Sequence, residues 1–284
     1  MKKPGFTLAE VLITLGIIGV VAALTAPALV TSSKNEANAA KLAVVVSNLE
    51  NAFTTAIAQE GVQDVFHTQM WTHPGIINVG STPANKRIFA GELGRYMVIN
   101  GVRANTEDEL YNYYGSDGEG DARRLNVYRL GNNGERGERI GGRSWFVNFV
   151  PIELKNGAVM FIRTFSPAGG NGARPPIDEA TAIDRGTALR ANAADIIIDV
   201  NGGSAPNTVG RDIFSFYLGQ NGILYPSGGA DVAAFENHFN EGEVLDWRSP
   251  NSAQCACLPE SNIVANEGWG CTGRLIAENY KMNY

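Results

Sequence analysis

The chain has 284 residues, 44% of them hydrophobic and 18% charged, a balance that supports a packed core and excludes a disordered chain. Its 23 Lys+Arg against 29 Asp+Glu leave a net charge of -6, which gives no strong sign of nucleic acid as a partner unless basic residues gather on one face. The 33 Gly and 12 Pro call for many turns without reaching low complexity, and the mean hydropathy of -0.11 averages over a very uneven distribution.

From Phe6 to Val30 the sequence FTLAEVLITLGIIGVVAALTAPALV carries one charge, Glu10. At about 1.5 Å per residue it makes a helix of roughly 37 Å, longer than a hydrocarbon core of ~30 Å, and it reads as a membrane span. Lys2 and Lys3 precede it, so the positive-inside rule keeps the N-terminus in the cytoplasm and sends the rest across. Two ordinary readings compete. A cleavable secretory signal would lose this segment at small residues between Ala22 and Ala28. A plain anchor would accept the length but not explain Glu10, since an ionised carboxylate costs about 2.5 to 3.5 kcal/mol at the span centre and less near its end. Gly16, Gly19, Ala22, Ala23 and Ala26 space small residues for close helix packing. Pro27 removes a helix hydrogen bond, and either kinks a continuing helix or marks its end.

The contiguous order Lys2-Lys3-Pro4-Gly5-Phe6-Thr7-Leu8-Ala9-Glu10 before a long apolar helix resembles the class III leader of type IV pilins and type II secretion pseudopilins. The resemblance implies that residues 1–5 are a leader, that prepilin peptidase cuts between Gly5 and Phe6, that the same enzyme N-methylates Phe6, and that the helix stays on the mature protein. It gives Glu10 a part in assembly, neutralising the new Phe6 α-amine of a neighbouring copy. Any other stagger would strand a charge in apolar surroundings, so the pair fixes axial register. In the unassembled protein, contact between Phe6 and Glu10 of one chain is the competing arrangement. Pro27 stands where such helices often carry a kinking proline. The implied partners are prepilin peptidase, other pilin or pseudopilin subunits, an inner-membrane assembly platform and membrane lipid. The implied location is a single pass through the inner (cytoplasmic) membrane, with the C-terminal domain periplasmic or extracellular, and a place in a pilus or pseudopilus after assembly.

Beyond Thr31-Ser32-Ser33, apolar residues recur at Leu42, Val45, Val46, Leu49, Phe53, Ala56 and Ile57 among polar ones, the helical period. Residues 6–30 and 31–60 therefore read as the apolar and amphipathic halves of one helix stopped near Gly61, with residues 61–284 an extracytoplasmic globular α+β domain. The expected fold is pilin-like: the long N-terminal helix laid on a C-terminal antiparallel sheet. From 62 to 142 the pattern is weaker, with a short helix over Glu107 to Tyr114. The Gly-rich stretch to Gly142 holds Arg123, Arg124, Arg129, Arg136, Arg139 and Arg143, largely offset by Asp117, Glu119, Asp121, Glu135 and Glu138. A solvated loop explains it better than a basic surface for DNA or a filament neighbour. Strand signals run over Ser144 to Pro151, Ile152 to Leu154, Val159 to Ile162, Ala194 to Val200, Ile213 to Leu218 and Ile223 to Tyr225. Asn156-Gly157 and Asn221-Gly222 suit hairpin turns, the first of type I′.

The loop from Asp199 to Asp212 gathers oxygen ligands. Asp199, Asn201, Asn207 and Asp212 could hold Ca²⁺, although Gly203 and Gly210 stand where an EF-hand needs ligands; some pseudopilins bind calcium in a loop of this sheet. The competing reading is an Asx-turn loop whose side chains cap backbone amides. No cofactor is required on either reading. Export favours a disulfide between Cys271 and either Cys257 or Cys255, and a zinc site using His238 has unusual C-x-C spacing. His67, His73 and His238 are the only histidines, and no hydrolase, metalloprotease or phosphate-loop motif is present, so no enzyme is expected. The chain reads as a prepilin-like structural subunit of a type II secretion pseudopilus or type IV pilus, its size suiting a minor subunit. The alternatives are a DNA-uptake pseudopilin, or an anchored binding protein or enzyme borrowing prepilin export, which a pocket of convergent ionisable groups would favour.

Overall fold

The computed structural model describes residues 7–73, 83–104, 106–117, 124–131, 136–139, 149–164, 192–229, 247–248, 256–258, 268–282 and 284. Helix α1 (Leu8–Glu60) is 53 residues long, about 80 Å at the standard rise. It runs through Pro27, which is thus an interior residue and not a helix end. Gly61 stops the helix in the left-handed region at φ 66, where its N–H reaches the Ala58 carbonyl at 3.3 Å and the Val62 N–H reaches Ile57 at 3.2 Å. A residue with a Cβ would be strained there.

After a 3₁₀ turn (Val65–His67) come α2 (Gln69–Thr72), α3 (Pro83–Leu93), β1 (Ile99–Val102) and α4 (Glu107–Tyr114). The short pairs β2 (Ser116–Asp117) with β3 (Arg124–Leu125), and β4 (Tyr128–Leu130) with β5 (Arg136–Arg139), follow. The main strands are β6 (Val150–Leu154), β7 (Val159–Thr164), β8 (Asn192–Asp199), β9 (Ile213–Gly219) and β10 (Leu224–Pro226), and α5 (Cys271–Ala277) lies near the end. The six-stranded sheet has the order β1-β6-β7-β8-β9-β10, every pairing antiparallel. The fold is α+β, with the long helix first and the antiparallel sheet after it.

Leu42, Val45, Val46, Leu49, Phe53 and Ala56 are buried at three- and four-residue spacing, one face of α1. They share a core with Ile152, Met160, Ile162, Ile196, Ile198, Phe214 and Phe216 from the sheet. Trp71 of α2 stands edge-on to Phe53 and Phe89, with ring centroids 6.2 and 5.7 Å away. The opposite face of the sheet is covered as well: Val159, Phe161, Ile197 and Ile213 pack with Leu110, Tyr114, Val127 and Trp269. Burial on both faces explains why Ile196-Ile197-Ile198 is a continuous apolar run instead of an alternating one. The helix is also pinned by a polar contact, the Leu224 N–H donating to Glu50 Oε1 at 3.0 Å.

Both expected hairpins form, with a different turn from the type I′ expected at Asn156-Gly157. Type I′ needs positive φ at both central residues, and here only the glycines have it, Gly157 at 80° and Gly222 at 82°. The loops are three residues long. The Leu154 N–H meets the Ala158 carbonyl at 2.8 Å and the Gly219 N–H meets Ile223 at 2.9 Å, with the glycine in the last loop position. Each asparagine instead accepts a main-chain bond, Asn156 Oδ1 from Ala158 and Asn221 Oδ1 from Ile223, both at 3.1 Å. The expected strand over Ser144 to Pro151 lies outside the described residues up to 148; β6 takes in Pro151, whose carbonyl accepts from the Arg103 N–H at 2.8 Å.

Candidate functional site

The first turns of α1 are built by a capping box. Thr7 is the N-cap, in extended conformation; its Oγ1 accepts from the Glu10 N–H at 3.3 Å, while Glu10 Oε2 accepts from the Thr7 N–H and hydroxyl, each at 2.8 Å. Two otherwise orphaned backbone donors are satisfied reciprocally. Glu10 thus holds the start of its own helix. The sequence carries the signal, since Thr7-Leu8-Ala9-Glu10 is a T-x-x-E sequence, although the expected partners of Glu10 are a neighbour's Phe6 amine or that of its own chain, with no part for Thr7. Gly5 and Phe6, the expected cleavage and methylation positions, lie outside the described residues.

Among the described residues, nothing covers the apolar half of α1. Leu8, Leu12, Ile13, Leu15, Ile17, Ile18, Val20, Leu24 and Leu29 are all exposed, and the most apolar window of the helix has a mean hydropathy of 2.3 with 0% of it buried. The helix is long and apolar enough to cross a membrane. A Cβ at Gly16 or Gly19 would meet nothing within 4 Å, so neither glycine is required by packing within the chain. Each costs about 1 kcal/mol of helix propensity relative to alanine. What they provide is a flat strip on which another helix can approach closely.

The loop after β8 brings the four expected calcium residues together; the two carboxylates are engaged with the loop and with Tyr114, while the buried Asn201 Oδ1 has no hydrogen-bond partner. Asp212 Oδ2 accepts from the Asn207 N–H at 2.9 Å and from Asn201 Nδ2 at 3.0 Å, and its Oδ1 from the Thr208 N–H at 2.6 Å. Asp199 Oδ1 accepts from the Asn201 N–H at 3.1 Å and Oδ2 from the Tyr114 hydroxyl at 2.5 Å. With its side-chain nitrogen turned toward the loop, Asn207 donates to Ser204 at 2.9 Å. Burial pushes the Asp212 carboxyl up to about 6 against the pull of these donors. Burial, with the neighbouring Asp212 charge adding to it, holds Asp199 well above the ordinary range. The arrangement caps a tight loop and docks α4 through Tyr114. Among the described residues no group of three or more His, Cys, Asp or Glu is placed to hold a metal.

Cys257 and Cys271 form a disulfide, with Cα atoms 4.8 Å apart, which answers the choice between Cys257 and Cys255 as partner; Cys255 and His238 lie outside the described residues. Both bonded cysteines are fully buried beside Leu130, and the bond takes their sulfurs out of any thiolate metal site. A cleft of about 480 Å³ beside α1 is lined by Val44, Asn48, Tyr96, Met97 and Val98, with Lys155 as its one charged group. It does not gather the convergent ionisable groups that catalysis would use.

The later half of the long helix is buried on an antiparallel sheet and its apolar earlier half is exposed. Residues 1–26 match the prokaryotic N-terminal methylation motif, and the chain thereby carries the prepilin signal of type IV pilins and pseudopilins. Comparison with curated proteins and with solved structures gives no match.

Proposed function

We propose that the chain is a prepilin-like structural subunit: residues 1–5 are removed by prepilin peptidase, Phe6 is N-methylated, and α1 carries the protein first in the inner membrane and then in a filament. The observation that carries this reading is the bare apolar half of α1 behind a methylation motif. Uncovered apolar helix of this length is stable only in lipid or against other helices. The same segment serves both, because lipid tails and Leu/Ile/Val side chains are alike in polarity and Gly16 and Gly19 favour the helix neighbour. The globular domain lies on the periplasmic or extracellular side, and its size beyond the helix suits a minor subunit of a secretion pseudopilus or pilus, delivered to the assembly platform in the membrane. Deleting the prepilin peptidase tests this: the reading expects the uncleaved chain to accumulate in the membrane fraction and to be missing from sheared filaments. Normal incorporation without the peptidase would overturn it.

A further inference from the structure

The two carboxylate oxygens of Glu10 are used unequally. Oε2 accepts from the Thr7 N–H and from the Thr7 hydroxyl, each at 2.8 Å. Oε1 has no partner among the described residues, and Glu10 is exposed. One oxygen therefore tethers the side chain to its own helix while the other stays open. Both Thr7 donors lie on the C-terminal side of the Gly5–Phe6 bond, so removal of residues 1–5 leaves the clasp intact. An unheld glutamate samples many rotamers. The clasp selects one and brings the carboxylate back to the level of residue 7, about 4.5 Å nearer the start of the chain than the Cα of residue 10.

Helix capping alone does not ask for this arrangement. A cap needs an oxygen that accepts from the Glu10 N–H, as Thr7 Oγ1 does at 3.3 Å, and aspartate or asparagine would serve at least as well. A hydroxyl adds a donor, and here that donor is spent on the carboxylate. Aspartate at position 7 would cap the helix and repel Glu10. Since Glu10 is the only charge between Phe6 and Val30, where its carboxylate stands decides where a cation arriving along this segment is met.

We propose that Thr7 is the positioning residue for the contact between Glu10 and the Phe6 α-amine of an adjoining subunit. Thr7 holds Oε2 and presents Oε1, so that the amine meets a carboxylate already ordered and at one axial level. The cap and the contact then operate together and do not compete for the same oxygen. The proposal deepens the reading of the chain as a filament subunit and rests on it.

The test compares full-length Thr7→Val, Thr7→Ser, Glu10→Gln and the Thr7→Val/Glu10→Gln pair with the parent in cells carrying prepilin peptidase. Mass spectrometry counts each chain in sheared filaments per cleaved and methylated chain in the membrane, which separates assembly from processing. Thr7→Val keeps the main-chain donor and loses the hydroxyl; incorporation should fall about five- to tenfold, the weight of ordering one long side chain at a contact. Thr7→Ser restores the hydroxyl and should recover that loss. In the Glu10→Gln background Thr7→Val should cost nothing further, because the charge it positions is gone. Equal cost in the two backgrounds is the mark of a residue that only caps the helix, and it would overturn the proposal. Parental incorporation of Thr7→Val, or failure of Thr7→Ser to recover the loss, would do the same. Solid-state NMR of the membrane-embedded chain gives a reading independent of processing: the shift of the Glu10 carboxyl carbon should move in Thr7→Val and return in Thr7→Ser, and an unmoved shift overturns the proposal whatever the filaments show. Parental incorporation of Glu10→Gln removes the charge pair, and the proposal with it, while the filament reading stands; absence of the parent from filaments overturns the filament reading itself.

Discussion

Glu10 has two uses in this account, and a pair of substitutions separates them by magnitude. Glu10→Ala removes the carboxylate that accepts from the Thr7 N–H and hydroxyl, and with it the charge, while the main-chain N–H of residue 10 still donates to Thr7 Oγ1; Glu10→Gln keeps a side chain that can reach the Thr7 N–H and removes only the charge. Loss of the cap is worth about 1 kcal/mol. Loss of the carboxylate facing a neighbour's amine leaves a buried charge unpaired, worth about 3 to 5 kcal/mol, or more than a hundredfold in an equilibrium. The account therefore expects both variants to be processed and inserted normally, and both to fall by about two orders of magnitude in sheared filaments measured by quantitative immunoblot. Only Glu10→Ala should show faster amide exchange in the first turn of α1 in membranes. Wild-type incorporation of Glu10→Gln would refute the charge-pair argument and leave Glu10 as a cap.

Three further outcomes follow from the globular domain. Replacing Cys257 and Cys271 with alanine opens a loop of sequence separation 14; chain entropy puts the loss at about 3 kcal/mol, and at about 2 to 4 °C per kcal/mol the melting temperature should fall by about 6 to 12 °C, whereas an unchanged value would show that the loop is ordered without the bond. Phe53→Ala, at a fully buried position against Trp71, should cost about 3 to 5 kcal/mol and alter the Trp71 near-ultraviolet signal; a loss below about 1 kcal/mol would mean that α1 is not held to the sheet by this face. Chelation should leave the melting temperature unchanged, because the oxygens of Asp199 and Asp212 already accept from their own loop. A calcium site filled at a hundred times its dissociation constant would add about 2.7 kcal/mol, and a matching fall on adding EDTA would show that the loop holds calcium.

What the sequence made legible depended on how local the physics was. The helix stop at Gly61, the period of its buried face and the helix over Glu107–Tyr114 are written in neighbouring residues, and the structure has them as read. The strands from β7 to β10 fall within two residues of their expected bounds because apolar runs and Asn-Gly turns are short-range signals. Strand β1 was missed: Ile99–Val102 holds Gly101 at φ 116 with a register shift, and its place in the sheet comes from pairing with β6, far along the chain. Helices α3 and α5 were missed for a related reason, α5 having Gly273 in its middle and its burial supplied by the sheet and the disulfide. The turn type at Asn156 was misjudged because the side chain accepted a main-chain bond that the dipeptide alone does not reveal. At the front of the chain, the charge of Glu10 was legible and its bond to Thr7 was overlooked.

Mass spectrometry of the intact protein from membranes tests the central claim most directly, comparing cells with and without prepilin peptidase. The account predicts a chain beginning at Phe6 with one added methyl group when the peptidase is present, and the unmodified chain beginning at Met1 when it is absent. A chain cut between Ala22 and Ala28, or one beginning at Met1 in both, would contradict it.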